Sequence, residues 1–182
     1  LGDLGRVRRW KDRGVTGTPH NVLAARYASG AMVDIWSPEA KIRMERQLWI
    51  AVMRAQLEFG VDIPQDAIDR YVSVLDQIDL ASIDARERVT KHDVKARIEE
   101  FNALAGAEFV HLGMTSRDLT ENVEQLQIRS SLELIRDKCV AALDRLSGLA
   151  VVYSEVAMAG RSHNVAAQIT TLGKRMGTFA EE

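Results

Sequence analysis

The chain has 182 residues, 46% of them apolar, with one cysteine and a net charge of −2. That length fits one ordinary domain or a large part of a bigger one, and the apolar share is too high for a chain disordered throughout. The balance of 24 basic against 26 acidic side chains excludes an affinity built on neutralising nucleic-acid phosphates.

No apolar run approaches the ~20 residues that cross a bilayer. The arginines near the N-terminus have no apolar block behind them, so no secretory signal is read there. Cys139 alone cannot close an intrachain disulfide, which points to a reducing compartment. A soluble, cytoplasmic globular protein with no nucleic-acid and no membrane partner is the expectation.

Residues 1–20 hold four glycines (Gly2, Gly5, Gly14, Gly17) and the basic cluster Arg6, Arg8, Arg9, Lys11 and Arg13, with no periodic aliphatics. They read as a flexible extension. Order is expected to begin near Val22. Ser37-Pro38-Glu39 is a helix start, with a capping hydroxyl, a proline suited to the first turn and an acid at the positive dipole end. Ile42, Leu48, Trp49, Val52, Ala55 and Phe59 follow as its apolar stripe, and Gly60 stops it. Pro64 opens a second helix carrying Ile68, Tyr71, Val72 and Leu75. A third is expected over 90–104, capped by Thr90, with Val94, Ile98, Phe101 and Leu104 inward and Gly106 behind it.

From Leu119 to Val156 there is no proline, and Gly148 is the only glycine. Ile128, Leu132, Ile135, Cys139, Ala142, Leu146, Leu149 and Tyr153 step by threes and fours. An unbroken helix there is ~57 Å long and must bury its stripe against helices of similar length. No long segment alternates as a half-buried strand would. Leu172, Met176 and Phe179 begin another stripe still open at Glu182, so the bundle is expected to continue. The fold class expected is all-α: an N-terminal helical domain over 21–112, then the start of a long-helix bundle over 113–182.

Three histidines lie at helix breaks within polar clusters: Thr90-Lys91-His92-Asp93, His111 through Gly113-Met114-Thr115-Ser116-Arg117-Asp118, and Gly160-Arg161-Ser162-His163-Asn164 leading to Thr170-Thr171-Leu172-Gly173-Lys174. Thr90 with Asp93, and Thr115 with Asp118, have capping-box spacing and could serve only to start helices. The histidines lack the paired spacing of a zinc site, so no metal is expected. Recurrence carries the functional reading. Each break joins an imidazole to hydroxyls and free backbone N–H groups, which suits an anionic substrate and proton transfer near neutrality. These considerations do not separate the three histidines.

The stretch Val94-Lys95-Ala96-Arg97-Ile98-Glu99-Glu100-Phe101, the Gly113–Asp118 motif and the Gly160–Gly173 motif resemble those of the adenylosuccinate lyase family, in the fumarase/aspartase superfamily, from about residue 21 to the end. The resemblance implies elimination of fumarate from adenylosuccinate and from the succinylated carboxamide ribotide of purine synthesis, with no cofactor. It assigns His163 as general acid and gives the dicarboxylate to Thr115 and Ser116. Arg26 and Tyr27 match an Arg-Tyr pair that grips the nucleotide phosphate, and His111 matches a histidine near it. Lys91-His92-Asp93 matches a binding triad usually written Arg-His-Asp, so Lys91 puts a point charge where the family has a planar fork. Ser162 stands where threonine is common.

The family's catalytic base is a serine on a Gly-Ser-Ser loop, and nothing like that loop occurs here; the chain is expected to be an N-terminal portion, inactive alone. A homotetramer with shared sites is also implied. The alternatives are another superfamily lyase of argininosuccinate or carboxymuconate type, against which Arg26-Tyr27 and residues 164–168 weigh, and a non-catalytic helical interaction module.

Overall fold

A computed structural model describes residues 21–182, and the expectation of a flexible extension over residues 1–20 lies outside them. Helices dominate: α1 (Val22–Tyr27), α2 (Gly30–Trp36), α3 (Pro38–Glu58), α4 (Gln65–Ser73), α5 (Leu80–Thr90), α6 (Asp93–Ala105), α7 (Ser116–Val152) and α8 (Leu172–Glu181). One antiparallel hairpin, β1 (Ala157–Ser162) with β2 (Val165–Thr171), lies between α7 and α8. The described residues fall into two compact units, divided within α7 between Ser131 and Leu132.

Local chemistry sets the helix ends. Ser37 Oγ accepts the Ala40 N–H at 3.1 Å, and Pro38 occupies the first turn of α3. Gly60, at φ 85°, supplies the left-handed residue just past that helix. Between α5 and α6 the break is narrower than the sequence implies. Thr90 is the last residue of α5 rather than the cap of α6, Lys91 turns left-handed at φ 53°, and His92 is the cap. The α5 helix went unforeseen because Ile83 is its only buried residue, too little apolar surface to make a period.

In the first unit α3 packs on α4 and α6 around Trp49, Met53, Ile68, Tyr71, Val94 and Phe101. Trp49 stacks on Phe101 at 6.1 Å between centroids, and Tyr71 meets the same ring at 4.8 Å. The buried face of α3 is not the expected stripe. It runs Ile42, Glu45, Arg46, Trp49, Ile50, Met53, with both charged residues fully buried, while Phe59 is 89% exposed. On α6, Leu104 is partly exposed and Ala105 takes the buried position.

Two ion pairs allow charges inside. Arg46 meets Glu100 at 2.5 Å through Nη2, and its two Nη groups also donate to the carbonyls of Val74, Leu75 and Gln77, while its buried Nε has no hydrogen-bond partner among the described residues. Glu45 meets Arg97 at 2.6 Å. The head of α7 joins this unit through Leu119, Val123 and Gln127, whose amide reaches Ile35 O at 2.9 Å.

The α7 helix is the expected long one, with 37 residues and a length of about 55 Å. In the second unit its last turn receives α8. Gly173 donates to Tyr153 O at 2.9 Å, and a Cβ there would come within 2.3 Å of Ala150 O, so only glycine permits the approach. The hairpin pairs Ala157 with Thr171 through Ser162 with Val165. It was not anticipated because both strands are mostly exposed, and alternation is written into a sequence only when one face is buried.

The stripe of α7 is open. Ile128, Leu132 (60% exposed) and Ile135 are exposed along it. A contiguous apolar face of this kind drives association. The purified chain is therefore expected to self-associate at micromolar concentration in sedimentation velocity; a single monomeric species would contradict this.

Candidate active site

Apart from Arg26 and Tyr27 on α1, the residues singled out by the sequence fall at three breaks. At the first, Lys91 ends α5 in the left-handed region, which a side chain with a Cβ adopts at a cost of ~1–3 kcal/mol. His92 follows in extended conformation, and its Nδ1 accepts the Lys95 N–H at 3.3 Å. An imidazole that accepts at Nδ1 carries its proton on Nε2 when neutral, and Nε2 lies 3.5 Å from Ser116 Oγ at the head of α7. Asp93 opens α6. Burial opposes its ionisation, but the Val94 N–H and the Arg97 guanidinium outweigh that and hold its pKa below the ordinary value. Arg97 reaches Asp93 Oδ2 at 3.0 Å and Glu45 on its other side. Glu45 itself has its pKa raised by burial, against the pull of Arg97 and Lys41.

The second break is the loop from Gly106 to Thr115. Tyr71 anchors it: the hydroxyl oxygen lies 2.7 Å from Ala107 O and accepts the Phe109 N–H at 3.1 Å. Gln56 Nε2 donates to Leu112 O at 2.8 Å. His111 (φ 68°) and Gly113 (φ 70°) both take left-handed conformations, which turn the chain sharply into α7. There Thr115 N–H donates to Asp118 Oδ2 at 2.7 Å and Asp118 N–H to Thr115 Oγ1 at 3.4 Å, the reciprocal pair read from the sequence. His111 Nδ1 accepts the indole N–H of Trp49 at 3.0 Å, with the rings edge to face. Burial lowers its pKa, with Asp118 opposing and His92 adding to the effect, so the ring is neutral at pH 7.

The third break belongs to the second unit. His163 (φ 50°) and Asn164 (φ 64°) are the two residues between paired Ser162 and Val165, a two-residue turn with both central φ angles positive. Arg161 closes it by donating to Asn164 O at 2.9 Å. A histidine held left-handed at a hairpin tip is a strained position, and its ring is exposed.

Within the first unit the fold thus brings His92 to Ser116, with Asp93 and Thr115 adjacent in the chain, and puts His111 within electrostatic range of His92. Arg26 and Tyr27 lie exposed on α1, and among the described residues no hydrogen bond or ion pair joins them to that cluster. Glu45 and Trp49 escaped the sequence reading as partners of site residues. The first looks like a surface charge and the second like core, and nothing local says what either touches.

A family model described as a lyase matches residues 24–182. The chain belongs to this lyase family. The lyase chain is 34% identical over 165 residues to adenylosuccinate lyase from Schistosoma mansoni, an alignment covering 89% of this chain and 34% of that protein. It is 28% identical to N-acetyl-S-(2-succino)cysteine lyase from Enterococcus italicus, over 88% of this chain and 36% of that one. Among solved structures, a fumarate lyase from Mesorhizobium sp. BNC1 superposes with a TM-score of 0.71 at 25% identity, covering 82% of this chain and 36% of that chain. This lyase chain spans about a third of the length of the curated relatives it matches. The helical fold expected from the apolar periodicity and the fumarase/aspartase superfamily expected from the three motifs both hold.

Proposed function

We propose that this segment supplies the general acid and part of the binding shell of an adenylosuccinate lyase, which eliminates fumarate from adenylosuccinate to give AMP and from the succinylated carboxamide ribotide. The observation that carries the reading is the head of α7, where Thr115 precedes the helix and Ser116 opens it, with His92 Nε2 3.5 Å from Ser116 Oγ. Such an end offers free N–H groups and a positive dipole to a carboxylate.

The reaction removes a proton from the carbon beside a carboxylate and breaks the adjacent C–N bond. Negative charge builds on that carboxylate, and the Thr115 and Ser116 hydroxyls are suited to stabilise it. The departing nitrogen takes a proton from His163 as the bond cleaves. Arg26 and Tyr27, on the exposed face of α1, hold the phosphate, where a guanidinium fork binds in two places. Lys91 adds a point charge, Asp93 completes the triad with His92, and His111 gives a neutral N–H near the phosphate.

No cofactor takes part. The base comes from outside this segment, and the assembly is a cytoplasmic homotetramer whose exposed α7 faces pair in its central bundle, with sites shared between subunits. Identity to adenylosuccinate lyases above that to the succinocysteine enzyme supports the nucleotide substrate over a sibling succinyl compound.

The test is fumarate release. The full-length enzyme containing this segment is expected to release fumarate from adenylosuccinate, and the 182-residue chain alone is not. Turnover of N-acetyl-S-(2-succino)cysteine or argininosuccinate in preference to adenylosuccinate would overturn the substrate assignment. Turnover by the chain alone would overturn the missing base.

A further inference from the structure

Trp49 is 1% exposed in the middle of α3, yet its one polar atom is not turned to a backbone carbonyl. It donates to the Nδ1 of His111, 62 positions along the chain, at 3.0 Å, while the two rings meet edge to face at 6.0 Å. His111 makes this contact from a left-handed conformation, at φ 68°. We propose that Trp49 is a positioning residue for His111: its indole N–H occupies Nδ1 and keeps a neutral imidazole whose Nε2–H is the face left for an anionic group of the substrate. The proposal rests on the reading above that His111 belongs to the phosphate end of the site.

The physical argument is one of donors and acceptors. Indole N–H donates and never accepts. A ring that receives it at Nδ1 must be unprotonated there, so its proton sits on Nε2, which has no partner among the described residues. Protonation would set two N–H groups against each other across 3.0 Å and leave the indole N–H of Trp49, which is 1% exposed, without an acceptor. The charged or titratable groups acting on His111 are Asp118 of α7, which favours the imidazolium, and His92 at the head of α6, which opposes it; α3 presents only the uncharged Trp49. The indole therefore offsets Asp118. It keeps the ring a hydrogen-bond donor of constant charge, distinct from a histidine that must carry a labile proton.

The experiment is nitrogen-15 NMR of the chain with labelled histidine and tryptophan, the His111 signals being identified by their loss in His111→Gln. In the unmodified chain a scalar coupling between Trp49 Nε1 and His111 Nδ1 is expected, with a pyridine-type shift at Nδ1 and a pyrrole-type shift at Nε2. In Trp49→Phe, with the fold checked by circular dichroism, the proton affinity of His111 is expected to rise about tenfold, because a hydrogen bond to the neutral form has been removed. An unchanged His111 titration in folded Trp49→Phe would overturn the proposal. If that variant does not fold, absence of the coupling in the unmodified chain overturns it equally, and its presence supports it. Inorganic phosphate as an inhibitor of the full-length enzyme tests the underlying reading separately. Unaltered phosphate affinity in His111→Gln removes His111 from the phosphate site and leaves the NMR result standing.

Discussion

His163→Ala in the full-length enzyme is expected to lower kcat by about 10²–10⁴-fold, the usual worth of a positioned proton donor, while KM changes little. The lost interaction exists only as the C–N bond breaks, so its removal falls on the chemical step. Thr115→Ala should divide its effect differently, since a hydroxyl on the dicarboxylate serves bound substrate and transition state alike, and part of the loss appears in KM. The structure sharpens the comparison among the three histidines. His111 is held neutral by burial and accepts from Trp49, so it is a poor source of a proton. His92 commits Nδ1 to the Lys95 N–H, and His92→Ala should also cost roughly 1 kcal/mol of stability through the lost cap. His163 is exposed at the hairpin tip, with no hydrogen-bond partner among the described residues. Single-turnover rates of the three alanine variants decide the matter: near-normal chemistry in His163→Ala, with loss in His92→Ala or His111→Ala, moves the role to the other residue.

Arg46→Met is expected to destabilise the chain by about 3–5 kcal/mol, the scale for breaking a buried pair from one side. Glu100 is 2% exposed and would lose its counter-ion. The carbonyls of Val74, Leu75 and Gln77, which carry the chain from α4 toward α5, would lose the guanidinium that gathers them. Methionine keeps much of the apolar stem against Phe101, where the guanidinium carbon now sits 4.6 Å from the ring centre. The loss is therefore electrostatic and hydrogen-bonding in origin. Replacing Glu100 by Gln at the same time should recover part of it, because no bare carboxylate is left buried. Urea unfolding of the three proteins measures this; a loss under ~1 kcal/mol in Arg46→Met would show that water reaches Glu100.

What the sequence determined by itself is local. Ser37-Pro38-Glu39 starts α3 because capping and a fixed proline φ need no distant partner. Thr115 and Asp118 cap α7 reciprocally for the same reason. The run free of proline and nearly free of glycine becomes one helix of 37 residues, since only backbone breakers would have interrupted it. The three polar clusters at breaks, and the family they resemble, were legible on the same footing.

Tertiary structure alone decided the rest. Nothing local in the sequence marks Glu45 and Arg46 for burial, yet they belong to the buried side of α3, because Arg97 and Glu100 of α6 meet them there. Charge is admitted to a core only by a partner, and the partner is more than fifty residues away. The hairpin over 157–171 carries no alternation because neither face of it is well buried. Trp49 counted as core, but the tautomer it imposes on His111 depends on where one N–H points. Caps and breakers act within one turn of chain, whereas burial and hydrogen-bond partners are properties of which segments meet.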